Sequence, residues 1–89
     1  MDENQQVKVS IKKPEQTVFE GVADAVSSIS NKGKFDVLAY HSNFISLIKE
    51  EVIVHVKNQK PQIFPIETGV MKVAGNVVQI ILGVETKKK

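Results

Sequence analysis

Apolar and polar residues alternate along most of this chain with the period of two that is typical of half-buried β-strands. The alternation is clear over Val7–Ile11 and returns over Val52–Val56. The segment Val77–Leu82 is nearly all apolar, which predicts a central strand covered on both faces. Between the strands there is no amphipathic pattern of three helical turns, although Phe44–Ile48 taken alone could be helical. The pattern therefore predicts an all-β protein.

Turn-forming residues separate the predicted strands. We expect hairpin turns at Ser30–Gly33 and Ala74–Asn76, since glycine adopts positive φ without steric cost. Gly21 interrupts the second strand, where a β-bulge would fit. Within Val22–Ile29 the apolar phase then slips, with Val22 and Val26 on one parity and Ile29 on the other. Pro65 cannot donate a hydrogen bond to a sheet, so its strand is expected at an edge or beside a bulge. Short strands with turns between them indicate a β-sandwich or barrel.

Length and composition limit the possible classes of protein. With 89 residues the chain has room for one domain. It has no cysteine and only two histidines, so we predict neither disulfides nor a metal site, and no cofactor. No apolar run reaches the roughly 18–20 residues of a membrane span, and the N-terminus lacks a signal-peptide pattern. A soluble intracellular protein is the expectation.

The charge distribution argues against nucleic-acid binding. Without Lys87–Lys89, nine lysines face ten acidic residues, and the chain contains no arginine. Arginine is the usual bidentate reader of guanine and a favoured phosphate ligand. We divide the chain into a flexible N-terminal tail at 1–6, one domain at 7–84 and a basic C-terminal tail at 85–89.

No combination of residues indicates an enzyme, and we predict no catalytic residue. The serines at positions 27, 28 and 30 lack the G-x-S-x-G context of a hydrolase nucleophile, and no Walker loop is present. Asp24 and Asp36 are interpreted as solvated surface acids. His55 is interpreted as an exposed strand histidine.

His41 leaves two interpretations open. It lies between Tyr40 and Phe44 in an irregular segment, where functional residues often occur. It either hydrogen-bonds the loop backbone and fixes its shape or contacts a partner, and the first is favoured by about two to one. From the residues alone, the chain is a small all-β interaction module.

Three segments resemble a known family in their order and spacing. They are EGVADAV at 20–26, GKFDVLAYHSNFI at 33–45 and IETGVMKVAGNVVQIIL at 66–82. Together they are similar to the N-terminal β-sandwich domain of the epsilon subunit of F-type ATP synthases. The similarity covers about Val7–Gly83, and the family's C-terminal helical hairpin is missing from the sequence.

The resemblance implies a single sandwich of about ten short strands and a mechanical role. The family's domain belongs to the central stalk of the rotor, where it packs on the γ subunit and sits on the c-ring. There it helps to couple proton translocation to ATP synthesis without catalysing a reaction. The resemblance also implies a peripheral membrane protein, on the cytoplasmic face of the plasma membrane if bacterial. Nucleotide binding is not expected, because the family's ATP contacts lie in the missing hairpin. The alternative is a stand-alone β-sandwich adaptor.

The resemblance also places the surface that meets the c-ring. Carried over residue by residue, it comprises Lys34, Phe35, Asp36, Tyr40 and His41. The family commonly has an acid where this chain has Lys34, so Asp36, two residues away, is the candidate replacement. The predicted core anchors are Phe35, Leu38, Val54 and Ile80.

Overall fold

The computed structural model describes residues 6–39 and 43–83, and these ranges form seven strands and no helix. The strands are β1 Val7–Lys13, β2 Gln16–Ala23, β3 Ala25–Ser30, β4 Gly33–Leu38, β5 Phe44–His55, β6 Gln62–Ala74 and β7 Val77–Leu82. The all-β prediction is confirmed. The helical alternative for 44–48 is wrong, because this segment begins β5. None of the described residues belongs to a helix that is long and apolar enough to span a membrane.

All seven strands belong to one sheet with the order β2-β1-β7-β6-β5-β3-β4, in which only β1 and β7 run parallel. The pairing of β5 with β6 breaks between Lys49 and Glu51. Before the break, residues 44–49 of β5 pair with 68–73 of β6, and after it 51–54 pair with 62–65. The sheet therefore turns over at this break and forms two layers. Counting the two bent strands once each gives seven strands instead of about ten.

The first layer contains β2, β1, β7, the second half of β6 and the first half of β5. The second layer contains the first half of β6, the second half of β5, β3 and β4. Two aromatic pairs join the layers at their opposite sides. The ring centroids of Phe19 and Phe64 are 5.6 Å apart, and those of Phe35 and Phe44 are 6.1 Å apart. Both distances lie in the range that aromatic pairs prefer.

The core lies between the layers and takes alternate side chains from both. Val54 and Ile80 are fully buried in it, whereas Phe35 is half-buried and packs against it. Leu38 is not a core residue, and the prediction that it anchors the core is wrong. It is 54% exposed because it lies next to the buried Val37, and successive residues of a strand point to opposite faces.

Strand β7 is central in the sheet, as predicted, but it is covered on one face only. Val78, Ile80 and Leu82 are buried, whereas Val77 and Ile81 are 41% and 50% exposed. The reason is that a sandwich has two layers, so each layer has one face toward the core and one away from it.

The predicted hairpin turns are present, with positive φ at Gly33 and Gly75. Pro65 lies beside the break in β5, opposite Glu51. The bulge expected at Gly21 is not there. Gly21 pairs regularly with Val9, and the β1–β2 register shifts instead between Ile11 and Lys12. The slip at Ile29 coincides with a shift in the β3–β5 pairing between Ser28 and Ile29.

Candidate functional site

Strand β4 carries the described part of the predicted ring-facing surface. Lys34 and Asp36 are exposed and lie on the outer face of the second layer, whereas Phe35 points to the opposite face, toward the core. The strand is the last one in the sheet, so this surface lies at an edge. Tyr40 and His41 lie outside the described residues. The structure thus brings Lys34 and Asp36 together and assigns Phe35 to packing.

A chain of hydrogen bonds leads from Asp36 across three neighbouring strands. The Ser27 hydroxyl donates to Asp36 Oδ1 at 2.5 Å, and Ser27 Oγ lies 2.9 Å from His55 Nε2. Since the Ser27 hydrogen is used for Asp36, the contact with His55 requires Nε2–H as the donor. Asp36, Ser27 and His55 belong to β4, β3 and β5, and we call them the polar row.

The polar row does not have the arrangement of a hydrolytic triad. In a triad the histidine lies between the serine and the carboxylate, so that it can accept the serine proton. Here the serine is in the middle and gives its hydrogen directly to the carboxylate. The geometry therefore serves to orient side chains and offers no activated nucleophile.

Sequence reasoning missed the roles of Ser27 and His55. The pair of Ser27 with Asp36 carried a signal, because the turn Ser30–Gly33 makes residues 27 and 36 direct neighbours in the hairpin. The contact with His55 depends on β5 pairing with β3, which joins residues far apart in sequence. No pattern of neighbouring residues predicts that pairing.

Asp24 holds the corner where the chain passes from one layer to the other. Its amide donates to the His55 carbonyl at 2.8 Å, and its carboxylate accepts from the Lys57 amide at 2.5 Å. Gln6 Nε2 lies 3.4 Å from the other carboxylate oxygen. The interpretation of Asp24 as a solvated surface acid is therefore wrong, since it is half-buried and bonded to backbone. It also fixes the backbone that carries His55.

The outer face of the first layer carries an apolar strip beside exposed polar residues such as Lys72 and Gln79. Leu47 lies opposite Val70, and Val70 lies opposite Ile81, so the three form a row across β5, β6 and β7. Ile45 and Leu47 are each 68% exposed. We call these four residues the apolar row. Exposed apolar side chains that adjoin one another mark interaction surfaces more often than scattered ones do.

A groove of about 530 Å³ runs between β4 and the first half of β5. Phe35 and Phe44 line it together with Asp36, Ile45 and Leu47, so it connects one member of the polar row with the apolar row. Within the ranges 6–39 and 43–83, no group of three or more His, Cys, Asp or Glu side chains is arranged to hold a metal. Fold and surfaces together define a β-sandwich with two contrasting faces suited to contacts with other proteins.

The chain matches the family of the ATP synthase Delta/Epsilon chain, beta-sandwich domain, over residues 6–84. It belongs to this family, which confirms the resemblance deduced from the sequence. No curated protein sequence matches the chain significantly.

Solved structures share the fold. The first is a chain of the Euglena gracilis mitochondrial ATP synthase assembly OSCP/F1/c-ring, with a TM-score of 0.79 and 20% identity over 86% of this chain and 50% of that one. The second comes from the Tetrahymena thermophila mitochondrial ATP synthase central stalk and c-ring, with a TM-score of 0.68 and 14% identity over 91% of this chain and 66% of that one. The chain thus spans half of the first structural relative and 66% of the second.

Proposed function

We propose that this chain is a non-catalytic rotor subunit in the central stalk of an F-type ATP synthase. It binds the γ subunit and the c-ring, and so helps to couple proton translocation to ATP synthesis. The observation that carries the proposal is the family match over residues 6–84. The structural relatives support it, because both come from ATP synthase assemblies that contain a c-ring. In this role the protein is peripheral to the membrane, on the cytoplasmic face in a bacterium.

The fold suits a part that transmits torque, which has to be stiff. The two layers share one core, and close-packed protein interiors have low compressibility. The aromatic pairs Phe19–Phe64 and Phe35–Phe44 join the layers on both sides. Relative sliding of the layers would disrupt both pairs. A rigid body with two exposed faces can therefore hold two partners in a fixed relative orientation.

We assign the c-ring to the edge at β4 and γ to the apolar row. Lys34 and Asp36 present opposite charges on one exposed face, and Asp36 offers the carboxylate that a basic ring loop requires. The charge of such an exposed pair acts mainly on the association rate and its salt dependence. The apolar row suits a permanent partner, because permanent interfaces are more apolar than transient ones.

Reversing the charge of Asp36 tests the assignment of the ring contact. We expect Asp36→Lys to slow association with purified c-ring and to reduce its salt dependence, since a favourable charge pair becomes a repulsive one. The fold and γ binding should persist, because Asp36 is exposed. Binding to γ and to c-ring is measured separately across a salt series, with circular dichroism as the check on folding.

Each outcome of this experiment has a separate meaning. Equal salt slopes for the wild type and Asp36→Lys would remove Asp36 from the ring contact. Loss of γ binding by a folded variant would show that the two surfaces are assigned wrongly. A wild-type chain that binds neither partner would contradict the rotor function and favour the stand-alone adaptor.

A further inference from the structure

We propose that Ser27 and His55 are positioning residues that hold the Asp36 carboxylate ready for one basic group of a partner. The inference rests on the proposed function, because it concerns the contact assigned to Asp36. It adds two residues on neighbouring strands that no sequence pattern connects with that contact.

The hydrogen bonds of the polar row have a defined direction. His55 Nε2–H donates to Ser27 Oγ at 2.9 Å and occupies an acceptor site of this oxygen. The single Ser27 hydrogen is then directed to Asp36 Oδ1 at 2.5 Å. The Asp36 side chain is exposed, yet the half-buried Ser27 fixes its orientation through this hydrogen bond.

The second carboxylate oxygen of Asp36, Oδ2, is the one proposed to meet the partner. In the described part of the chain, Oδ2 has no hydrogen-bond partner. A carboxylate with one oxygen anchored and the other open accepts a lysine or arginine in a geometry that is already set. The partner group is therefore the cationic end of a lysine or arginine side chain. Because the Asp36 side chain is already oriented, it loses little rotational freedom when this group binds.

This preorganisation has a measurable consequence that differs from the effect of charge. Ordering an exposed side chain on binding opposes association by an amount that corresponds to about 3- to 10-fold in affinity. Removing the Ser27 hydroxyl leaves the charge of Asp36 in place, so the salt dependence should not change. The loss should appear in the dissociation rate, where most affinity differences between variants of one interface reside.

A purely structural role for the polar row predicts a change in the stability of the domain and no change in its dissociation from the c-ring. If the hydrogen bonds only join β3, β4 and β5, their loss lowers the free energy of unfolding. Binding of the folded protein to the c-ring is then unchanged. Ser30→Ala is the matched control, since Ser30 lies on the same strand and its hydroxyl bonds locally with Lys32 and Gly33. The two substitutions remove the same atom at two places on one strand.

The test measures dissociation from purified c-ring for the wild type, Ser27→Ala, Ser30→Ala, His55→Gln and His55→Leu. We expect Ser27→Ala to dissociate about 3- to 10-fold faster at an unchanged salt slope, and Ser30→Ala to match the wild type. His55→Gln, whose amide nitrogen can replace Nε2–H, should stay closer to the wild type than His55→Leu. In the Asp36→Asn background, Ser27→Ala should have less effect, because it acts through that carboxylate.

A second measurement needs no partner. Three-bond couplings across χ1 of Asp36 in the isolated chain should report one rotamer in the wild type and averaging in Ser27→Ala. The proposal is overturned if Asp36 keeps one rotamer in both, or if Ser27→Ala dissociates within twofold of Ser30→Ala. If Ser27→Ala dissociates like Ser30→Ala but Asp36→Asn loses binding to the c-ring, the positioning role is overturned while the proposed function stands. A wild-type chain that ignores the c-ring would overturn both proposals.

Discussion

At the scale of single residues, the side of the strand on which a residue lies decides what it does. In β4, Phe35 and Val37 point toward the core, whereas Lys34, Asp36 and Leu38 point away from it. Leu38 is as apolar as its neighbours, but its position in the alternation places it outside. The same alternation puts Asp36 next to Ser27 instead of next to the core.

Alanine substitutions at two predicted anchors should therefore give very different results. Ile80 is 1% exposed, so Ile80→Ala should lower the free energy of unfolding by about 2–5 kcal/mol, through lost burial and a cavity. Leu38→Ala should change it by about 0.5 kcal/mol or less, because surface substitutions away from special features have small effects. Urea denaturation of both variants measures the difference. Equal losses would show that Leu38 is buried in solution.

At the scale of the strand, the break in β5 creates the two-layer architecture. Glu50 has φ of 71°, a left-handed conformation that side chains rarely adopt. The Ser28 hydroxyl donates to the Glu51 carbonyl at 2.6 Å, and so satisfies a backbone group next to the irregularity. In β6 the apolar side chains facing the core change from even positions, at Phe64 and Ile66, to odd positions, at Met71 and Val73. This change of phase is the sequence signal of the bend.

Substitutions at Glu50 test the strain at the break. Glu50→Val should lower the free energy of unfolding by about 1–2 kcal/mol, because a β-branched side chain is disfavoured at positive φ. Glu50→Gly should retain the stability or raise it by up to about 1 kcal/mol, since glycine adopts this conformation without strain. Lys49→Val, at an exposed strand position next to it, is the control. An equal effect of valine at positions 49 and 50 would contradict a left-handed Glu50.

At the scale of the whole molecule, the two outer faces differ in chemistry. The first layer presents the apolar row, and the second layer presents the polar row together with Leu38 and Ile63. The layers are held together by one core, so a partner on one face is fixed relative to a partner on the other. This arrangement is the physical basis of the proposed rotor role.

A matched pair of charged substitutions distinguishes the two faces. Leu47 and Ile63 are both exposed, at 68% and 59%, but they lie on different layers. We expect Leu47→Asp to weaken binding to purified γ by about tenfold or more, since it buries an unpaired charge in the contact. Ile63→Asp should leave γ binding unchanged, and both variants should remain folded. The reverse result would show that γ binds the outer face of the second layer instead of the apolar row.

Most of the strands, two of the turns and the family could be deduced from the sequence. Period-two alternation over Val7–Ile11 and Val52–Val56 reports a half-buried strand, because side chains on a strand alternate between two faces. The turns at Ser30–Gly33 and Ala74–Asn76 follow from the backbone freedom of glycine. The spacing of the three matching segments led to the epsilon-like sandwich. All of these are properties of neighbouring residues, which a sequence displays directly.

The covered face of each strand and the pairing of distant strands follow only from the packed fold. Alternation states that Val37 and Leu38 differ, but not which of them is inside. The all-apolar β7 has one exposed face because a single opposing layer lies against it. Likewise, His55 reaches Ser27, 28 residues earlier, only because β5 pairs with β3. Such long-range pairings depend on the packing of the whole domain, since local propensities do not select partners far apart in the chain.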